Sequence, residues 1–221
     1  MGKRGPKPKS KVKIIWSPEF AYAIGLIVSD GCLSSDGRHI IFTSVETEQL
    51  KNFMRALAID VAIGKGKDIH GTQRVVRVQF GDVLFYRFLQ TIGLMPNKSK
   101  IIGEIRIPKK YFFDFLRGSF DGDGSTYSYF DPRWKSSFMF YTVFASASRQ
   151  HIAWLQKQIW ERLRIRGHVT GSKKRSLYQL KYAKADSLKI LKKMYHSRTV
   201  PCLSRKRLKI EKMLAIVGEQ L

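Results

Sequence analysis

Two aspartates stand where carboxylates could do chemistry as a pair. Asp30 closes the segment AIGLIVSDG, residues 23–31, and Asp123 closes LRGSFDGDG, residues 116–124. Each follows an apolar stretch, precedes a glycine and belongs to a different half of the chain. A single Asp-Gly after an apolar run is commonly a helix end and nothing more. Two at matching places raise the question of what they do together. Carboxylates held side by side repel, and one of them tends to keep a proton. A divalent cation removes that conflict: carboxylate oxygens suit Mg²⁺, a hard ion that keeps several waters and also binds phosphate. Metal held this way can stabilise the attacking and leaving oxygens of a phosphodiester displacement.

The charge balance names the partner for such chemistry. The 221 residues carry 41 Lys and Arg against 17 Asp and Glu, a net charge of +24. Self-repulsion makes that a cost to any compact state. A polyanion explains it, because releasing condensed counterions from phosphate drives binding. Nucleic acid is the first candidate and an anionic membrane the second. No apolar run reaches the ~18 residues of a spanning helix. The N-terminal arm, residues 1–13, has six bases and no acid. It lacks the apolar stretch of a signal peptide and reads as a flexible, nonspecific phosphate clamp. Cys32 and Cys202 show no paired spacing and read as reduced thiols of an intracellular protein. The five histidines show no zinc spacing.

The elements that must bring the aspartates together form a repeat. In the first half, Ser17 is a helix cap, Pro18 and Glu19 suit the first turn, and the helix runs to Asp30 with Gly31 as its C-terminal stop. Residues 109–124 follow the same plan and stop at Gly124. A hairpin follows each motif, turning at Asp36-Gly37 and near Asp131-Pro132. Helices come next: Leu50, Phe53, Met54 and Leu57 share one face, as do Ile152, Leu155, Ile159 and Leu163. Second hairpins cover roughly 61–80 and 166–182, then further helices, then the basic segments NKSK (97–100) and LSRKR (203–207). The pattern predicts an α+β fold of tandem αββαββα repeats, 14–105 and 106–221. Gly25 and Ser29 share one face of the first motif helix, and Gly118 and Gly122 one face of the second. Small residues let backbones approach closely, so the two helices are expected to pack together and set Asp30 beside Asp123. Asp121, two residues earlier and matched by Val28, reads as structural.

Strand alternation places the remaining bases. Arg77 and Gln79 point opposite to Val76, Val78 and Phe80, and Gln179 and Lys181 opposite to Tyr178, Leu180 and Tyr182. Such side chains can read base edges in a major groove. Arg38, Arg74, Arg133, Lys135, Lys173, Lys174 and Arg175 lie at or near hairpin turns, where phosphates are the expected targets.

At these residues the chain resembles the LAGLIDADG homing endonucleases in their monomeric, two-motif form. Both nine-residue segments fit the family signature, and the resemblance covers nearly the whole chain. The first motif departs from it at Ala23 and Val28, neither of which touches the chemistry. The resemblance implies two antiparallel sheets with pseudo-two-fold symmetry, forming a saddle on the DNA major groove. It implies cleavage across the minor groove of a long, semi-symmetric duplex target, leaving 3′ overhangs. Asp30 and Asp123 would hold Mg²⁺, with the carbonyls of Ser29 and Gly122 beside them. Mn²⁺ would substitute and Ca²⁺ would bind without supporting cleavage. A basic residue near the end of each half would assist at the scissile phosphates: Lys98 in the first, Lys206 in the second with Arg205 as the alternative. Glu46 and Ser148 stand near the family's water-holding position. The likeness also allows an intron-encoded origin, an intron RNA maturase, and a regulator that binds DNA without cutting it.

Overall fold

Local chemistry sets the first helix. The Ser17 hydroxyl accepts the Phe20 amide at 3.0 Å, and Pro18 opens α1 (Pro18–Asp30) with the fixed φ a first turn needs. In the computed structural model, which describes residues 10–67, 74–134, 137–172 and 176–221, each half repeats one order of elements. The first half is α1, β1 (Gly31–Leu33), β2 (His39–Ser44), α2 (Thr47–Leu57), β3 (Gly64–Lys67), β4 (Arg74–Gly81) and α3 (Val83–Thr91). The second is α4 (Phe112–Asp123), β5 (Ser125–Phe130), β6 (Phe138–Ser146), α5 (Arg149–Leu163), β7 (His168–Ser172), β8 (Leu177–Ala183), α6 (Lys184–Met194) and α7 (Ser204–Ala215). Residues 1–9, and with them most of the basic arm, lie outside the described residues, as do Lys135, Lys173, Lys174 and Arg175.

Each half holds a four-stranded antiparallel sheet, in the orders β1-β2-β4-β3 and β5-β6-β8-β7. Alternation sorts the strand faces: Ile40, Phe42, Val78 and Phe80 are buried, while Arg77 opposite Thr43 and Gln79 opposite Ile41 stand on the outer face. In the second sheet Phe140, Phe144, Leu180 and Tyr182 are buried, with Gln179 opposite Ala145 and Lys181 opposite Val143. The helices cover the inner faces, α2 through Phe53 stacked on Phe42 at 4.5 Å. No helix of the described residues is long and apolar enough to cross a membrane.

The seam between the halves is the packing of α1 on α4, and glycine makes it possible. A Cβ on Gly25 would sit 2.1 Å from the Phe115 carbonyl oxygen, and one on Gly118 would sit 2.0 Å from that of Tyr22. Backbone meets backbone there, and a methyl group has nowhere to go. Further along, a Cβ on Gly122 would lie 1.9 Å from Ser29 Oγ and 2.8 Å from a carboxylate oxygen of Asp30. The contact of small faces therefore continues to the motif aspartates.

Three details depart from the sequence expectation, and one agrees with it for a reason the sequence did not show. Gly31 and Gly124 do stop their helices, both in extended backbone with φ of −84° and −83°. Their need for glycine is steric: the strand leaves so sharply that an added Cβ would meet the Cα of Ile27 or Phe120 at 2.6 Å. The second motif helix lacks a capping side chain and instead follows a 3-10 turn at Lys109–Tyr111. The basic segment of the second half opens a further helix, α7. Finally, the end of the N-terminal arm is docked: the Lys11 and Val12 amides donate to the Asp82 carboxylate at 2.6 and 3.0 Å, and Asp82 also caps α3.

Candidate active site

The seam delivers Asp30 and Asp123 to adjacent helix C-termini, where the dipoles are negative. Burial is the first cause that raises both carboxyls, and for Asp30 the neighbouring Asp123 is the second, pushing it to about 7. The Gln49 side-chain amide donates to Asp30 at 3.2 Å, whereas nothing among the described residues donates to Asp123.

Each lysine of interest ends at one of these helices. Asn97 adopts left-handed backbone, φ 54°, which asparagine tolerates, and turns Lys98 inward until it is 6% exposed. Its Nζ donates to the Ser29 carbonyl at 3.4 Å. Lys206 lies in the first turn of α7, and the three N–H groups of its Nζ are shared among the carbonyl oxygens of Phe120, Asp121, Gly122 and Gly124, at 2.6, 2.8, 3.0 and 2.7 Å. Those of Asp121 and Gly122 are carbonyls that a helix end leaves without partners, while that of Phe120 also accepts the Gly124 amide at 2.9 Å. Burial lowers both lysines, Lys206 to about 8. Of the two motif aspartates, Asp123 acts more strongly on Lys98, and Asp30 on Lys206. The two acids sit in different surroundings. One group contains Asp30 and Gln49, whose amide donates to it. The second lines a cleft of about 320 Å³ with Asp123, Lys98, Ser29 and His151.

Asp121 is 2% exposed. Its carboxylate accepts from the Tyr22 hydroxyl at 2.7 Å and the Leu203 amide at 2.8 Å, tying α1 and α4 to the residue before α7. Arg117, fully buried, pairs with Asp114 at 2.9 Å and donates to the carbonyls of Met194 and Pro201. These bonds aim Lys206.

The other expected residues divide. Arg205 turns away from the aspartates and pairs with Glu46 at 2.6 Å. Ser148 is 1% exposed, donating to the Ile102 carbonyl at 2.5 Å and capping α5 at His151. Arg77 and Gln79 are exposed, Gln179 and Lys181 half-buried, and Arg74 exposed at the start of β4. Arg38 and Arg133 are exposed but paired, with Asp36 at 3.7 Å and Asp131 at 2.9 Å. The sequence reading missed Gln49, whose signal was a polar residue at the third position of an amphipathic helix. It also missed the aromatic character of the second sheet: Tyr127 and Tyr129 stack on Tyr141 at 4.9 and 6.2 Å.

The donor set suits a hard divalent ion. Two crowded carboxylates, one without a donor, are what such a charge would stabilise, and main-chain oxygens lie beside them. No cluster of three or more His, Cys, Asp and Glu gathers among the described residues, so phosphate and water would complete the coordination.

No protein-family model and no curated protein matches the sequence. Solved structures do match. The homing endonuclease I-WcaI bound to its DNA recognition sequence superposes with a TM-score of 0.60 at 13% identity, covering 88% of each chain. I-LtrWI, a LAGLIDADG homing endonuclease bound to target DNA, gives 0.60 at 11% identity over 91% of this chain and 90% of its own. Full-length DUF199/WhiA from Thermatoga maritima gives 0.58 at 18% identity and covers 93% of this chain, which spans 62% of WhiA's length. The homing endonuclease I-DmoI has been solved with DNA and Ca and with DNA and Mn. The fold is that of the LAGLIDADG proteins, shared by homing endonucleases and by WhiA.

Proposed function

We propose that this protein is a site-specific, divalent-metal-dependent endonuclease of double-stranded DNA, built from two fused repeats and acting as a monomer. The observation that carries the reading is the meeting of Asp30 and Asp123 at the base of a glycine-lined seam, with a buried lysine at each helix end. Mg²⁺ held by the two carboxylates, with the Ser29 and Gly122 carbonyls nearby, would polarise phosphate oxygens there. Lys98 and Lys206 neutralise charge that builds on the scissile phosphates. The outer sheet faces lie along the major groove of a long target. Arg77, Gln79, Gln179 and Lys181 meet base edges, and Arg38, Arg74 and Arg133 hold phosphates at the rim. The cut crosses the minor groove and leaves 3′ overhangs.

A second reading keeps the scaffold and drops the chemistry: a regulator that binds DNA without cutting. A fold shared with WhiA supports it; the retention of both acids favours cleavage. The deciding experiment is a selection from randomised duplex DNA in Mg²⁺ and, separately, in Ca²⁺, with cut ends and bound fragments sequenced. One long site recovered with 3′ overhangs in Mg²⁺ alone is the expected result. Tight duplex binding in both metals without cutting would establish the regulator, and weak duplex binding beside tight intron RNA binding a maturase.

A further inference from the structure

The two outer sheet faces offer a ligand different chemistry. In β5 the usual sorting of an antiparallel strand is inverted. Thr126 and Ser128 alternate toward the helices, while Tyr127 and Tyr129 stand on the outer face, 40% and 43% exposed. The register fixes that assignment: Ser128 lies opposite the buried Phe140, and Tyr127 opposite Tyr141. Tyr127 and Tyr129 both stack on Tyr141, their planes 13° and 11° from parallel with it. Tyr141 shares its face with Val143, opposite Lys181, and with Ala145, opposite Gln179. The four strands of this sheet carry Lys181 and no Asp or Glu, a charge balance that suits an anionic partner.

The first sheet has no counterpart. Ser44 ends β2 and Ser146 ends β6, and each hydroxyl accepts the amide two residues on, at 3.0 and 3.1 Å. Counted back from these serines, Tyr141 matches His39, whose ring is hydrogen-bonded to Asp36. The strands β1 and β2 have 3 and 6 residues against 6 and 9 in β5 and β6. Tyr127 and Tyr129 therefore stand on an extension that the first hairpin lacks. Cross-strand stacking stabilises a long hairpin and explains why the rings touch. It leaves unexplained why the aromatic face is the wet one, and exposed apolar patches mark binding surfaces.

Given that the outer faces bind duplex DNA, as proposed above, we infer that Tyr127, Tyr129 and Tyr141 form a site for the 5-methyl group of thymine, so that the second half-site is read by apolar contact where the first is read by Arg77 and Gln79. The methyl is the apolar group that thymine alone presents in the major groove. A phenol hydroxyl donates and accepts alike, so it discriminates poorly among base edges, and the hydrocarbon of the rings carries the choice. Ring faces stacked on one another are closed to an unpaired base. Tyr127 and Tyr129 stand four and six residues past Asp123. At a strand's rise that is about 13 and 20 Å, or about four and six base pairs at about 3.4 Å each. Thymine is expected at that distance from the cut, on the side of the target that meets the second sheet.

The test keeps every base pair and removes only the methyl. The duplex selected by binding in Ca²⁺ is resynthesised with deoxyuridine for thymine at those positions. Affinity for both duplexes is measured in Ca²⁺ for the parent, for the Tyr127→Phe, Tyr129→Phe double variant and for the Tyr127→Ala, Tyr129→Ala double variant. The parent is expected to lose about fourfold in affinity per methyl removed, the scale of burying one carbon, with its salt slope unchanged. The phenylalanine variant should show the same loss, and the alanine variant should bind both duplexes equally. The parent measurement needs no variant to fold. Indifference of the parent to deoxyuridine, a selected site with G·C pairs throughout those positions, or the full methyl effect in the alanine variant would each overturn the inference and leave duplex binding standing. Indifference together with loss of self-association in the alanine variant would assign the rings to a second copy of this chain. Absence of duplex binding by the parent would overturn the DNA reading and the inference with it.

Discussion

The first half of the centre is closed and the second is open. Asp30 is held by Gln49, which is itself held by Ser44. Asp123 has no donor among the described residues and faces a cleft beside Lys98 and His151. The sheets differ in the same sense: the first presents Arg77 and Gln79, the second a stack of tyrosines on β5 and β6. Fusing two repeats into one chain frees each half from serving an identical partner. What the halves keep in common is what sterics and charge demand at the seam: small residues, one acid each and one lysine each. They diverge beside the seam, where Gln49 stands against His151, and on the outer faces, where Arg77 and Gln79 stand against the stacked tyrosines.

The comparison breaks first at the acids. Asp30→Asn and Asp123→Asn should each lower double-strand cleavage by about 10³-fold or more, since the charge stabilisation at risk is several kcal/mol, while binding in Ca²⁺ changes little. Full cutting by either variant in single-turnover assays would separate the carboxylates from the chemistry. At the seam, Gly118→Val should cost about 3 kcal/mol or more, because its side chain meets the Tyr22 backbone, which cannot yield. Denaturant unfolding checks this, and a loss under 1 kcal/mol would mean the helices can move apart.

A smaller effect concerns pH. Asp30 keeps its proton in the folded state up to about 7, against an ordinary value of 3.8. Between those values the folded chain binds a proton that the unfolded chain has released. The metal-free protein should therefore lose stability as pH rises from about 4 to about 7. Asp30→Asn should flatten that profile and raise stability at pH 7 by roughly 1–3 kcal/mol. Thermal melts across this range give the answer, and a slope unchanged by the substitution would contradict the crowding of the two carboxylates.

The least dramatic changes sharpen the contrast between the sheets. Arg77→Ala should weaken duplex binding by about 1–3 kcal/mol and reduce the log–log salt slope by up to about 0.9. Tyr129→Ala should leave that slope unchanged. Arg38→Ala should cost less than about 1 kcal/mol, because Asp36 already pairs with it.

Much of the architecture was legible in the sequence for physical reasons. Helix and strand periods write themselves into apolar spacing, so the order of elements and the buried faces of α2 and α5 could be read directly. The seam was legible too, because close backbone approach leaves small residues four apart. Backbone direction after the motifs was not: Gly31 reads equally as a left-handed stop or as a residue crowded by its own helix, and only the exit of β1 decides. Helix α7 was hidden because SRKRLKIEKMLA opens without a capping side chain and is dense in charge. Gln49 and His151 were missed because their meaning lies in a tertiary match, visible once Ser44 and Ser146 are seen to hold equivalent turns. Ser148 sits at the expected place in sequence, yet its hydroxyl is spent on Ile102 and the cap.

The central claim is that Asp30 and Asp123 together hold a divalent ion against a DNA phosphate. Its most direct test is Mn²⁺ titration of the complex with the selected duplex, followed by electron paramagnetic resonance, for the parent protein and for the Asp30→Asn, Asp123→Asn double variant. The parent complex is expected to immobilise Mn²⁺, and the double variant, bound to the same DNA, is expected not to. Equal immobilisation by both would contradict the claim.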